Sequence, residues 1–286
     1  MASEIETELF NLKKDELRAL ALAIDPVQFA ITLGIDPDPW QQELLLTEEK
    51  RVILNCSRQS GKSTLAAIIA LHHALHDPGS LVLVLSPSQR QSGELFKKIT
   101  EYYKLLGKPV ESEIEQALSL QLTNKSRIVS LPGHEQTIRG FSGVSLLIID
   151  EAAQVADETY YSVRPMLAVS QGRLILLSTP FGKRGFFYQA CEKETGWWKK
   201  EITADDCPRI SKEFLEEERV ALGERWWRQE YRCSFEENAE SFFTMDEINE
   251  AFSSEVKPLF TEDGELDVPL PTVQVKRGME GLGWGV

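Results

Sequence analysis

Residues 55–64 read NCSRQSGKST. Gly61, Lys62, Ser63 and Thr64 match the end of the phosphate-loop pattern G-x-x-x-x-G-K-[ST]. Where such a loop joins a buried strand to a helix, successive backbone N–H groups converge at the positive end of the helix and cup a phosphate. The N–H groups from Gln59 through Ser60 and Gly61 to Ser63 would hold a β-phosphate. Lys62 would reach the β- and γ-phosphates, the Ser63 hydroxyl would ligate Mg²⁺, and Thr64 can touch the α-phosphate. Two positions depart from the pattern. Cys56 holds the place of the first glycine, and Arg58 sits inside the loop, where its guanidinium is expected near the γ-phosphate or a neighbouring subunit.

Other stretches carry the partners such a loop needs. LLIIDE (146–151) is an apolar run ending in two acids, a Walker B pattern. Asp150 at the strand end would hold Mg²⁺ through water, and Glu151 would polarise the attacking water. LLSTP (176–180) ends a third apolar run in Ser178 and Thr179, whose hydroxyls can bond a γ-phosphate or the lytic water. In WQQ (40–42) the Gln41 amide can read adenine, and Trp40 can either stack on a base or anchor its helix. Arg139, in the glycine-flanked QTIRGFSG, is either a finger inserted into another subunit's site or a surface ion pair. Spacing does not decide whether Arg58 or Arg139 is the dominant catalytic arginine.

The elements around these motifs follow from periodicity. Residues 4–34 read as helix interrupted at Asp25-Pro26, and 40–46 as a short helix. Apolar strands at 51–55, 81–86, 145–150 and 172–179 alternate with helices, and 117–122 with 127–131 reads as a β-hairpin. The class is α/β, a mostly parallel sheet with helices on both faces. Past Pro180 the texture changes to a helical FFYQACEKE, a last strand in WWKKEITA, and one or two amphipathic helices over 210–231. The expected organisation is an N-terminal helical segment (1–36), a phosphate-loop core (37–180), a small lid subdomain (181–235) and an acidic linker or tail (236–286).

Composition sets limits. The net charge is −14, which argues against a protein that simply coats nucleic acid. The charge is uneven. Residues 236–286 hold twelve Asp/Glu against Lys257, Lys276 and Arg277, a balance of −9 that leaves −5 on residues 1–235. Arg90, Lys97, Lys98 and Lys104, with Lys125 and Arg127 on the hairpin, form either a DNA-facing surface or a solvated one. Four dispersed cysteines suit a reducing compartment, and no apolar run is long enough to span a membrane. His72, His73 and His76 have no carboxylate or cysteine beside them and read as structural. Trp197-Trp198 and Trp226-Trp227 read as packing residues.

Taken in order, W-Q, S-R-Q-S-G-K-S-T, LLIIDEA, LLSTP and R-Q-E-Y (228–231) resemble the ATPase domain of the large terminase subunit of tailed bacteriophages, over about residues 38–235. The resemblance implies a RecA-like (ASCE) P-loop NTPase that hydrolyses ATP with Mg²⁺ to drive double-stranded DNA into a procapsid. It makes Cys56 and Arg58 a family variant. It assigns adenine to Gln41, the triphosphate and metal to Lys62 and Ser63, the metal aspartate to Asp150, the base to Glu151, coupling to Ser178 and Thr179, and the trans-acting finger to Arg139. It implies as partners the portal protein, the small terminase subunit and further copies in a ring, by family a pentamer. The implied location is the host cytoplasm, transiently at the portal. GLGWGV at the end resembles the first strand of the family's RNase H-type nuclease domain, and its metal-binding aspartate is not reached, so a motor without the nuclease is expected. Two alternatives stand beside this. One is a superfamily 2 helicase-like remodeller, whose second RecA-type domain the 181–235 segment is too short to form. The other is a nucleotide-dependent module that docks on portal or DNA with little hydrolysis.

Overall fold

The computed structural model describes residues 16–133, 138 and 140–236. Residues 1–15 of the N-terminal segment, Arg139, and residues 237–286 of the tail with GLGWGV lie outside the described residues. Helical turns over 16–24 (α1) stop at Asp25, whose carboxylate accepts the Val27 and Gln28 N–H groups at 2.9 and 3.1 Å and so caps α2 (Pro26–Thr32). Next come α3 (Pro39–Leu46), β1 (Arg51–Cys56), α4 (Lys62–His76), β2 (Leu81–Ser86) and α5 (Gln89–Leu105). A meander of β3 (Ser112–Gln116), β4 (Ser119–Leu122) and β5 (Arg127–Pro132) follows, then β6 (Leu146–Asp150), α6 (Asp157–Val163) and β7 (Arg173–Ser178). The chain continues through α7 (Gly185–Glu192), β8 (Trp198–Ile202), α8 (Lys212–Leu222) and α9 (Glu224–Tyr231).

The eight strands form one sheet in the order β3-β4-β5-β2-β6-β7-β1-β8. From β5 to β8 every pairing is parallel, and the β3–β4 and β4–β5 pairings are antiparallel. The expected hairpin is present, widened by β3. That strand, SEIEQ, is mostly exposed and carries no apolar alternation, so periodicity has nothing to detect.

The central parallel strands β1, β2, β6 and β7 are mostly apolar because both faces are covered. Val52, Leu54, Val84, Ile148 and Leu177 point to one side, packed with residues of α2, α3, α4 and α5. Their alternates Ile53, Leu85, Ile149 and Leu176 point to the other, against Tyr160 of α6 and Phe186 and Phe187 of α7. Trp198 backs the first cluster. Trp227 joins a small separate one with Leu215 and Tyr231, while Trp226 stays exposed. The chain leaves β1 through α4 and returns at β2, passing over β7 and β6. The carboxyl ends of β1, β7 and β6 therefore lie side by side, where α/β sheets place their ligands.

The histidines of α4 are structural, but contrary to expectation His73 does have a carboxylate beside it: its Nε2 lies 3.4 Å from Asp77 Oδ2 and 2.9 Å from Ser145 Oγ. His72 and His76 meet the Phe29 ring edge-on at 5.0 and 5.8 Å, and His72 Nε2 bonds the Leu22 carbonyl at 3.0 Å. Among the described residues no helix is long and apolar enough to cross a membrane.

Two consequences can be measured. Burial first, then the neighbouring His76, pulls the His72 pKa from 6.5 down to about 4. Between those values the unfolded chain binds the extra proton, so stability is lost as pH falls through that window. The wild-type melting temperature should drop by several degrees more than that of His72→Gln between neutral pH and pH of about 4.5. At Gly172, before β7, an added Cβ would lie 2.2 Å from the Val144 carbonyl oxygen and 2.8 Å from that of Ser145. Gly172→Ala should cost about 2 kcal/mol or more in a denaturation midpoint experiment.

Candidate active site

The loop after β1 shows why its first glycine is dispensable. Cys56 is the last strand residue, paired in register with Ile202 of β8, in a conformation any residue adopts. The left-handed positions come later, at Gln59 (φ 60°) and Gly61 (φ 93°). At Gly61 a Cβ would also lie 3.1 Å from Gln41 Nε2. Burial pushes the Cys56 thiol up to about 12, so it acts as a small apolar side chain beneath the loop.

At the start of α4 the loop meets the ends of β6 and β7. Ser63 Oγ donates to Asp150 Oδ2 at 2.8 Å. Lys62 Nζ lies 3.3 Å from Glu151 Oε1 and donates to Thr179 Oγ1 at 3.2 Å. Burial, then the charge of Glu151, raises the Asp150 pKa to about 6 against the pull of Ser63 and Lys62. Glu151 has a left-handed backbone (φ 51°), uncommon for a residue with a side chain and a recurring feature of working sites. Its Oε2 is buried with no hydrogen-bond partner among the described residues. Ser178 Oγ accepts the Ala153 N–H at 3.0 Å, tying the end of β7 to the turn after Glu151. Lys62, Ser63, Asp150, Glu151, Ser178 and Thr179, far apart in sequence, are thus brought together.

The donor set fits Mg²⁺. One hydroxyl and one carboxylate face each other, and among the described residues no group of three or more His, Cys, Asp or Glu cages a metal alone. Mg²⁺ uses such sparse protein ligation and completes its shell with phosphates and water.

The other expected residues are placed differently. The Gln41 amide is spent within the protein: Oε1 accepts the Asp38 N–H at 3.0 Å and Nε2 donates to the Ser60 carbonyl at 3.2 Å. Trp40 is buried in the helical core, so of its two sequence readings the anchoring one matches its position. Arg58 is held by α9. Its Nε lies 2.7 Å from Glu230 Oε2 of α9, and its N–H bonds the Glu230 carbonyl at 2.9 Å. Thr64 Oγ1 accepts from Lys98 Nζ at 3.2 Å.

The basic residues of α5 do not form one face. Successive helical residues are about 100° apart, so Lys97 and Lys98 point in different directions. Arg90 and Lys98 line a cavity of about 260 Å³ together with Ser63, Glu94, Asp150 and Glu151. Lys97 and Lys104 line a separate groove against the β3–β4 hairpin. On the meander Lys125 pairs with Glu113 at 2.7 Å, and Arg127 lies over the Phe141 ring at 5.5 Å.

Two site neighbours were not singled out from the sequence. Arg209, beyond β8, grips Asp38 with both terminal nitrogens at 2.8 and 2.7 Å and donates to the Ser60 carbonyl at 3.3 Å. Glu230 sits in the R-Q-E-Y motif, which periodicity reads only as amphipathic helix.

Comparison with known proteins bears on the family and the fold. The family model for the terminase large subunit, T4likevirus-type, N-terminal, matches residues 53–250. The large terminase subunit of Thermus phage G20c is 24% identical over 253 residues, covering 76% of this chain and 52% of that protein. That of Escherichia phage T5 is 27% identical over 213 residues, covering 71% and 48%. The chain thus spans about half the length of these relatives. Among solved structures, the large terminase ATPase domain of Thermus phage P74-26 superposes with a TM-score of 0.66 at 21% identity, covering 73% of this chain and 98% of that one. The large terminase of bacteriophage D6E in complex with ADP gives 0.56 at 13% identity, covering 70% and 54%. With this family model matched across more than half of its length, the chain belongs to the large terminase subunit family and carries that family's N-terminal, P-loop NTPase-like region.

Proposed function

We propose that this chain is the ATP-hydrolysing motor portion of a viral large terminase, which couples Mg²⁺-ATP turnover to translocation of double-stranded DNA into a procapsid. The observation that carries the reading is the junction of three strand ends, where Ser63 meets Asp150 at 2.8 Å and Lys62 meets Glu151 at 3.3 Å. The D6E relative in complex with ADP supports a nucleotide here. The portal protein, the small terminase subunit and a ring of copies, a pentamer by family, are the partners proposed. The host cytoplasm is the proposed location.

The residues divide the work as follows. The N–H groups of Gln59 to Ser63 cradle the β-phosphate, and Lys62 moves from Glu151 and Thr179 to the β- and γ-oxygens. Ser63 and Asp150 hold the metal, which when bound neutralises the developing phosphate charge. Freed from Lys62, Glu151 orients water for in-line attack, and its unpartnered Oε2 is the acceptor available. Thr179 loses its Lys62 bond at that moment, and Ser178 transmits the change to the turn after β6. On the adenine side, Gln41 gives up its internal bonds or works through the shape it imposes on Ser60.

Residues 37–180 are the proposed core and 181–235 the lid. Within the lid, α7 packs on the sheet and β8 is itself an edge strand of it, whereas α8 and α9 share the small cluster of Leu215 and Tyr231. Helices α8 and α9 are therefore the part proposed to turn. Arg58 links them to the phosphate loop through Glu230.

Glu151→Gln should lower ATP turnover by about 10²-fold or more while ADP affinity stays unchanged, read by steady-state phosphate release and equilibrium binding. A docking module would show no such split. Arg139 is proposed to act on a neighbouring copy, and such a finger is worth about 10³–10⁵ in rate. Turnover per chain should then rise with protein concentration and stay low at every concentration in Arg139→Ala. A constant wild-type rate that the variant matches would remove the trans role.

A further inference from the structure

We propose that Arg90 is a γ-phosphate contact supplied by the chain to its own site, with Lys98 holding the helix that carries it. The inference rests on the nucleotide reading above and extends it to residues outside the phosphate loop and the strand ends.

Arg90, Glu94 and Lys98 recur every four residues on α5 and so form one stripe. That stripe faces Ser63, Asp150 and Glu151 across the cavity of about 260 Å³. The placement follows from topology. β2 is the sheet neighbour of β6, so the first turn of the helix after β2 stands beside Asp150. The mount is fixed at three points. Ser88 caps α5 by accepting the Gln91 N–H at 3.3 Å, and Ser92 Oγ donates to the Leu131 carbonyl at 2.9 Å. Lys98 Nζ donates to Thr64 Oγ1 at 3.2 Å, next to the metal-side Ser63.

The other nearby cations are committed. Lys62 is engaged by Glu151 and Thr179, and Arg58 binds α9 through both its guanidinium and its backbone. Arg90 is exposed and makes no ion pair among the described residues. With Asp150, Glu151 and Glu94 against Arg90 and Lys98, the lining is short of positive charge for a triphosphate. A guanidinium on a long, unpaired side chain at the rim can swing onto the terminal phosphate and present two parallel donors to its oxygens. ADP has no group at that position. Arg90 therefore distinguishes the triphosphate from the diphosphate, a role distinct from that of a finger from another copy.

The test is equilibrium binding of ADP and of ATPγS, each with Mg²⁺, to the full chain as wild type, Arg90→Ala and Arg90→Lys. Arg90→Ala should weaken ATPγS by about tenfold or more, the loss of one charge-assisted contact, and leave ADP unchanged. Arg90→Lys should recover part of the loss. Unchanged ATPγS affinity in Arg90→Ala, or a loss shared equally by ADP, overturns the γ-phosphate role while leaving the nucleotide reading intact. If the wild type binds neither nucleotide, the reading of the whole site falls, and this inference with it.

Discussion

Lys62 and Asp150 are charged groups almost without contact with water, 7% and 6% exposed. Isolated ions at such depth would cost several kcal/mol each, so they are tenable only with partners held close by. Every feature around them serves that requirement. Adjacent parallel strands bring Asp150, Glu151 and Thr179 to within reach of the loop after β1. The left-handed turn at Glu151 faces its carboxylate toward Lys62, and Ser63 gives Asp150 a hydroxyl donor. The site is therefore poised with substitutes: the lysine rests on protein oxygens, and the aspartate on a serine. An incoming metal and polyphosphate would replace these internal bonds with stronger ones, so binding would rearrange a preformed network without having to build one.

A second layer surrounds this centre. Arg209 and Gln41 both donate to the Ser60 carbonyl, and Arg58 reaches Glu230 on α9. The phosphate loop is thus gripped from α3, from the segment after β8 and from the last described helix. These contacts join the loop to helices that share only a minor hydrophobic cluster with each other.

Much of the architecture was legible. Four buried strands announce themselves as short apolar runs, because both sheet faces are covered and every position must be apolar. The phosphate loop and the LLIID run could be located because the chemistry demands particular residue types at fixed offsets. What stayed hidden was of a different kind. SEIEQ forms a strand on the strength of edge pairing alone. Arg58 carries the composition of a phosphate ligand, yet a carboxylate from a helix about 170 residues later holds it. The α5 cations looked like one surface, and only the helical angle between Lys97 and Lys98 separates them into two. Arg209 belongs to no pattern, because its partners are a backbone carbonyl and an N-terminal aspartate brought near by the fold.

The position of β1 has a further consequence. Its two neighbours in the sheet are β7 and β8, so Arg51 lies in register with Leu174, and Val52 with both Ile175 and Trp198. No strand near it in sequence can pair with it. The strand that carries the phosphate loop gains its first sheet partner only with β7 (Arg173–Ser178) and its second only with β8 (Trp198–Ile202). Both of its pairings span more than a hundred residues of sequence, and long-range pairings of this sort make folding slow. Until those pairings form, an apolar segment is open to pairing elsewhere, and α4, which follows it directly and shares its core in the folded chain, is the local element able to cover it.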